Sequence, residues 1–189
     1  AASPGQHGWR PKVLLVLGGG GMRGFAHIGV IRALERLGVE VDEVIGTSMG
    51  AVMGGLWASG RDSFQIEEAA AEISIRDYLK LNLVKFLVRG YRHASVYKGH
   101  HFREALRGIL GDGDFDSLAR PFICNALSLN RGHMRYFGLP GDRAVSVADA
   151  VYASACLPAV FEPPEIGGEH FIDGGMAEGL ALKVAHARK

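Results

Sequence analysis

Two glycine-rich turns, each between a short apolar run and a helical pattern, constrain the fold of this chain more than any other sequence feature. The apolar run at residues 13–17 leads into four consecutive glycines and then into residues 25–37, whose apolar side chains recur at helical spacing. A second run, at residues 41–45, leads into Gly46-Thr47-Ser48-Met49-Gly50 and a predicted helix of small residues at residues 49–58. Continuous apolar runs closed by glycine are typical of strands buried on both faces. Strand, helix, strand, helix in this order predicts an α/β fold with a mostly parallel sheet and right-handed crossovers.

The rest of the chain predicts further strands and helices with less regular spacing. Helices are expected at residues 63–72, 98–110, 147–155 and 177–189, and strands at residues 121–129, 133–137 and 170–172. Residues 75–88 carry an apolar face with interspersed lysines. This segment predicts either an ordinary core helix or a lid that touches lipid.

Length and composition indicate one globular domain. The chain has 189 residues, 48% of them hydrophobic and 22% charged, and a formal net charge of +1, which does not favour nucleic acid as a partner. No apolar run reaches the ~20 residues that span a bilayer. Cys124 and Cys156 lie in apolar stretches and are expected to be free buried thiols, which suits the cytoplasm. Residues 1–11 are interpreted as a linker or a cut edge, and residues 12–189 as the domain.

The pattern Gly46-Thr47-Ser48-Met49-Gly50 is that of a nucleophile elbow, G-x-S-x-G. A serine on a tight turn from strand to helix is held in strained backbone geometry, which exposes its hydroxyl group. Side chains two residues before and after the serine would collide, so Gly46 and Gly50 are expected at those places. The sequence therefore predicts Ser48 as a nucleophile.

The glycine loop admits two interpretations. The amides of Gly19, Gly20 and Gly21 can converge on one spot and form an oxyanion hole, with Arg23 as an anchor of the loop or a contact for phosphate. Alternatively, Gly19, Gly21 and Gly24 match the G-x-G-x-x-G fingerprint of dinucleotide-binding proteins. Asp42 lies near the start of the second run, whereas a ribose-binding acid should lie at its end, so the oxyanion hole is favoured and the nucleotide-binding protein is the alternative.

Several sequence blocks together resemble the patatin-like phospholipases, in particular their bacterial and neuropathy-target-esterase-like branch. In family order, the blocks are the glycine loop at residues 18–24, the helix start at residues 26–30, the serine elbow at residues 46–50, Ala153-Ser154-Ala155-Cys156-Leu157-Pro158 with Phe161 and Pro163, and Asp173-Gly174-Gly175. They cover most of residues 12–175. Gly179 and Ala181 stand where the family usually has the Asn and Pro of an Asn-x-Pro sequence.

The resemblance implies a three-layer α/β/α fold and a catalytic dyad of Ser48 and Asp173, without a histidine, a metal ion or a cofactor. It implies a phospholipase A, lysophospholipase or esterase that acts through an acyl-enzyme on phospholipid, lysophospholipid or other acyl esters, with peripheral contact to membranes. The family domain usually continues beyond residue 189. A catalytically silent lipid-binding domain is the second alternative.

Overall fold

A computed structural model of the chain describes residues 11–72 and 91–188, with the backbone alone described at residues 72 and 91–98. The segment at residues 75–88, which sequence patterns predict to be a core helix or a lid, lies outside the described residues, as does nearly all of the predicted linker. The described strands are β1 (Leu14–Leu17), β2 (Glu43–Thr47), β3 (Phe122–Ser128), β4 (Met134–Phe137), β5 (Glu165–Ile166) and β6 (Glu169–Asp173).

The described α-helices are α1 (Ala26–Arg36), α2 (Met49–Ala58), α3 (Ser63–Glu72), α4 (Tyr91–Leu110), α5 (Val147–Ser154) and α6 (Leu182–Ala187). Two short 3-10 helices, Gly21–Phe25 and Gly174–Met176, follow the glycine loop and Asp173. Helix α4 begins seven residues before the predicted residue 98. Helix α6 begins at Leu182 rather than at residue 177, because the chain before it packs as a loop against the glycine loop.

The α/β class is confirmed, and the six-stranded sheet is mixed. Strands β1, β2 and β3 are parallel neighbours, whereas β4 and β6 pair with β3 antiparallel and β5 pairs with β6 antiparallel. The parallel part is therefore smaller than the sequence predicted. Antiparallel pairing of β4 follows from the short turn after β3, since a parallel partner would need a crossover connection.

Strands β2 and β6 meet end to end along one edge of β3. Strand β4 pairs with Cys124–Leu127 and occupies the other edge. On the shared edge, Thr47 at the end of β2 lies opposite Asn125, and Asp173 at the end of β6 lies opposite Ala126, one residue further along. This register brings the chain ends after Thr47 and at Asp173 together.

The sheet separates two apolar layers, as the alternation of side chains along each strand requires. Leu17, Val44 and Phe122 belong to the larger cluster, which contains buried side chains of helices α1 to α5. Ile45 and Ile123 face the opposite side and pack with Ala181, Val184 and Ala185 at helix α6. The three-layer α/β/α arrangement thus has one thick helical layer and one layer that, within the described residues, contains α6.

Candidate active site

Ser48 lies at the turn from β2 into α2, in a backbone conformation that L-residues rarely adopt, with φ 55° and ψ −124°. The glycines on either side permit the turn. A β-carbon at Gly46 would lie 2.5 Å from Cα of Ala51, and one at Gly50 would lie 2.2 Å from the carbonyl oxygen of Leu17. Both distances are far below van der Waals contact, so the elbow requires glycine at both positions.

The Ser48 hydroxyl donates a hydrogen bond to Asp173, with 2.6 Å between Oγ and Oδ2. The two residues are 125 positions apart in the chain. Their contact follows from the end-to-end meeting of β2 and β6 on β3. Ser48 is 5% exposed and Asp173 is 2% exposed, so the pair is nearly dry. Low local polarity strengthens a hydrogen bond to a carboxylate.

Burial raises the pKa of the Asp173 carboxyl above its usual value of 3.8. Hydrogen bonds from the Ser48 hydroxyl and from the Gly175 amide, which lies 2.7 Å from Oδ1, lower this pKa, but the effect of burial is larger. The backbone amide of Asp173 donates to the carbonyl of Cys156 at 2.9 Å, which fixes the end of β6. Asp173 is thus a firmly held carboxylate with increased basicity.

The glycine loop packs directly against Ser48. A β-carbon at Gly19 would lie 3.2 Å from Cβ of Ser48, so a side chain there would crowd the hydroxyl group. The Gly19 amide donates a hydrogen bond to the carbonyl of Gly179 at 2.9 Å. The sequence predicts this N–H as an oxyanion donor, but here it already has an acceptor. Within the described residues, the amides of Gly20 and Gly21 have no acceptor.

Three further residues of this region, His27, Gly24 and Arg23, differ in whether a structural contact accounts for them. His27, predicted to be structural and hydrogen-bonded, lies 2.9 Å from the Gly18 carbonyl through Nε2, and only the histidine can donate in this pair. A β-carbon at Gly24 would lie 2.4 Å from Cγ of Met49, so packing against α2 explains this glycine without a nucleotide. Arg23 is exposed, and its side chain makes no hydrogen bond or ion pair within the described residues, which does not support the predicted role of loop anchor.

The loop after Asp173 is held without the Asn-x-Pro sequence that the family usually has. The carbonyl of Gly179 binds the glycine loop, and Ala181 is fully buried. Glu178, which precedes Gly179, accepts two hydrogen bonds. Its carboxylate accepts the Tyr136 hydroxyl, and its backbone carbonyl accepts the Asn125 side-chain amide. These contacts hold the loop in place without that sequence.

Sequence reasoning did not identify Ser154 as a functional residue. Its hydroxyl oxygen, on the last residue of α5, accepts a hydrogen bond from the backbone amide of Ser48 at 2.9 Å. Ser154 is fully buried. The only available signal was its place in the block at residues 153–158, which by itself predicts no contact with residue 48.

Neither a metal-binding cluster nor a membrane-crossing helix is present in the described residues. They contain no group of three or more His, Cys, Asp or Glu side chains arranged to hold a metal ion. Among the helices of residues 11–72 and 91–188, none has the length and apolar character to cross a membrane. A cleft of about 530 Å³ lies at the far end of the parallel strands, where Glu35 and Arg120 already bind Trp57, and it has no contact with Ser48.

Comparison with known proteins places these features in a family context. The family model for patatin-like phospholipases matches residues 15–186. An NTE family protein of Mycobacterium tuberculosis is 34% identical over 173 residues, which are 91% of this chain and 45% of that protein. A lysophospholipase of Emericella nidulans is 35% identical over 92% of this chain and 11% of its own length. The neuropathy target esterase of Drosophila melanogaster is 30% identical, over 91% of this chain and 12% of its own.

Solved structures show the same fold at low sequence identity. VipD of Legionella pneumophila superposes with a TM-score of 0.66 and 17% identity, over 88% of this chain and 46% of VipD. ExoU of Pseudomonas aeruginosa, in its complex with SpcU, gives a TM-score of 0.51 and 19% identity, over 80% of this chain and 39% of that chain. The chain spans less than half the length of each of these relatives.

Proposed function

Because the chain belongs to the patatin-like phospholipase family, we propose that it is a serine acyl hydrolase that cleaves the carboxylic esters of phospholipids or lysophospholipids. The observation that carries this proposal is the contact of 2.6 Å between the Ser48 hydroxyl and the Asp173 carboxylate at a strained elbow. A structural serine would not need the positive φ that Ser48 adopts, and strain of this kind concentrates at functional sites.

Acylation begins when Asp173 takes the hydroxyl proton of Ser48 and Oγ attacks the ester carbonyl carbon. The carbonyl π bond opens and its electron pair becomes the oxyanion of a tetrahedral intermediate. The amides of Gly20 and Gly21, which lack an acceptor within the described residues, and the N-terminal end of α2 stabilise this charge. When the intermediate collapses, the C–O bond to the alcohol breaks, and the departing oxygen receives the proton from Asp173.

Deacylation repeats these steps with water as the nucleophile. Asp173 accepts a proton from water, the hydroxide attacks the acyl carbon, and Oγ of Ser48 leaves with the proton that Asp173 returns. An aspartate with a pKa near 3.8 is a weak base at neutral pH, and the raised pKa of Asp173 improves the match to this task. No histidine, metal ion or cofactor enters the cycle.

Labelling with a fluorophosphonate probe tests the proposal, because such probes phosphonylate activated serines. We expect labelling of the native protein, none of Ser48→Ala and at least about a hundredfold slower labelling of Asp173→Asn, in line with the loss of a general base. Ser117→Ala and Asp112→Asn remove the same residue types from an exposed loop and should label like the native protein. Labelling of Ser48→Ala at the native rate would refute the assignment.

Hydrolysis of a p-nitrophenyl ester and of lysophosphatidylcholine separates this function from the alternatives. The proposed enzyme releases fatty acid, and Ser48→Ala does not. A folded native protein that hydrolyses neither ester would instead indicate a silent lipid-binding domain. Retention of a nicotinamide or flavin, seen in its absorbance spectrum, would indicate a nucleotide-binding protein.

A further inference from the structure

Four large apolar side chains are exposed where the loops around Ser48 reach the surface. They are Met22, Met176, Leu180 and Leu182, with exposed fractions of 41%, 59%, 43% and 57%. Exposed side chains of this size are common singly on protein surfaces, but their grouping at one place indicates a contact surface.

One contact and two chain positions place three of these residues close to the loops that surround Ser48. Leu180 lies against Gly18, since a β-carbon at Gly18 would be 3.3 Å from Cδ1 of Leu180. Met176 ends the 3-10 turn that begins directly after Asp173. Met22 follows Gly21, one of the proposed oxyanion donors.

Helix α6 brings Leu182 to the same end of the sheet. The far end of α6 is fixed at the start of β2, where Arg188 binds Glu43 at 2.9 Å. Glu43 lies opposite Leu14, the first residue of β1. Helix α6 packs on β1, and the last turn of α6 lies at the start of β1. The first residue of α6 therefore lies near the other end of β1, where this strand enters the glycine loop.

Two exposed cations accompany these apolar residues. Arg23 follows Met22, and Lys183 follows Leu182; both are exposed, and neither makes an ion pair within the described residues. Glu178, a half-buried residue of the same loop, accepts the Tyr136 hydroxyl through its carboxylate but keeps its negative charge, so the two cations outnumber it by one. The surface is therefore apolar with a positive margin.

We propose that Met22, Met176, Leu180 and Leu182, together with Arg23 and Lys183, form a docking rim that binds the surface of an anionic lipid bilayer. The proposal rests on the proposed function, because the rim would deliver lipid esters to Ser48. Apolar side chains enter the boundary between headgroups and acyl chains, and cations bind anionic headgroups. A soluble protein partner would not require a positive margin around the mouth of an ester site.

Vesicle partitioning tests the docking rim independently of catalysis. The measurement uses Ser48→Ala protein, which leaves the lipid intact, with vesicles of phosphatidylcholine alone or mixed with phosphatidylglycerol. The double variant Leu182→Ser/Lys183→Gln removes one apolar and one charged group from the rim. We expect its partition coefficient on mixed vesicles to fall about tenfold or more, since one lysine near an anionic surface alone contributes about fivefold.

A matched control exists at the opposite end of the molecule. Arg36 and Leu37 are adjacent, exposed and located where α1 ends, and Leu37 is 76% exposed. Arg36→Gln/Leu37→Ser should bind vesicles as the parent protein does. Equal loss in both double variants, or no binding by the parent protein, would overturn the docking rim. Lys183→Glu alone, which leaves the apolar residues in place, should weaken binding to mixed vesicles only.

Monomeric substrate keeps this test separate from that of the proposed function. With Ser48 present, Leu182→Ser/Lys183→Gln should hydrolyse a short, soluble p-nitrophenyl ester at the native rate while losing activity on mixed vesicles. An equal loss on both substrates would contradict docking as the role of the rim. Absence of hydrolysis in the native protein would contradict the proposed function and leave the partition result to decide on the rim.

Discussion

Ser48 keeps an unfavourable backbone conformation because neighbouring groups hold it from two directions. A positive φ at a residue other than glycine costs on the order of 1–3 kcal/mol. The Ser154 hydroxyl accepts the amide hydrogen of Ser48, and the Asp173 carboxylate accepts its hydroxyl hydrogen. The two contacts fix both the backbone and the side chain of one residue, so Ser154 acts as a positioning residue for Ser48.

Replacing Ser154 by alanine should therefore affect both stability and reactivity. The buried Ser48 amide would lose its acceptor, which costs about 1–3 kcal/mol of the free energy of unfolding. Without this restraint the elbow can relax, and a small displacement of a nucleophile slows its reaction considerably. We expect fluorophosphonate labelling of Ser154→Ala to slow about tenfold or more, while Asp173 still sets the acid limb of its pH profile.

Ser128 provides the matched control for this prediction. It is also fully buried, and its hydroxyl oxygen also accepts a backbone amide, that of Arg131 at 3.3 Å. It lies at the end of β3, with no contact to Ser48. Ser128→Ala also removes a hydrogen bond of 2.6 Å from this hydroxyl to Glu169, so it should lose at least as much stability and still keep the native labelling rate. If both variants labelled equally slowly, loss of stability rather than of positioning would explain the effect of Ser154→Ala.

At the scale of the elements, glycines determine how closely α2 approaches the end of β1. A β-carbon at Gly50 would lie 2.2 Å from one backbone oxygen and 2.6 Å from the next, and neither can move independently of β1. We expect Gly50→Ala to lower the free energy of unfolding by about 3 kcal/mol, as for severe overpacking. Urea denaturation measures the difference.

Gly29 is the comparison, since it lies within α1 and a β-carbon there would have no neighbour within 4 Å. Gly29→Ala should raise the free energy of unfolding by about 0.5–1 kcal/mol, because alanine restricts the unfolded chain and favours the helix. If both variants lost a similar free energy of unfolding, the helices would need glycine in general, and the contact of Gly50 with β1 would not explain the effect.

Local sequence patterns predicted those elements whose bounds depend on residues close together in the chain. The bounds of α2 and α3 agree with the sequence prediction, because apolar periodicity and glycine stops are local signals. The antiparallel pairing of β6 with β3 depends on segments more than 40 residues apart, which periodicity does not report. For the same reason the contacts of Ser154 with Ser48 and of Gly179 with Gly19 escaped sequence analysis.

For the whole molecule, the buried carboxylate of Asp173 is expected to reduce stability at neutral pH. Burial raises the pKa of folded Asp173 above the value near 3.8 that it has in the unfolded chain. Between these two pKa values the folded state binds more protons, so the free energy of unfolding falls as the pH rises. Asp173→Asn removes the charge and keeps the shape, and its melting temperature at neutral pH should exceed that of the native protein.

The size of this effect should depend on pH in a defined way. Each kcal/mol gained corresponds to about 2–4 °C in a domain of this length. Below pH 3.8 the native Asp173 is protonated in both states, so the advantage of asparagine should disappear there. A lower melting temperature of Asp173→Asn at neutral pH would contradict the cost assigned to the buried charge.

Asp149 provides a comparison of opposite sign on the same molecule. Burial alone would raise the pKa of its carboxyl, but hydrogen bonds from Arg103 at 2.8 Å and Arg107 at 3.1 Å outweigh burial and lower it. Its stabilising contribution is therefore present above pH 3.8 and is lost as the pH falls through its lowered folded pKa. Asp149→Asn should melt below the native protein at neutral pH, and calorimetry across pH should show two differences of opposite sign that both shrink in acid. A fold selected only for stability would pair both carboxylates as it pairs Asp149, so a buried Asp173 without an ion pair among the described residues agrees with the chemistry proposed for Ser48.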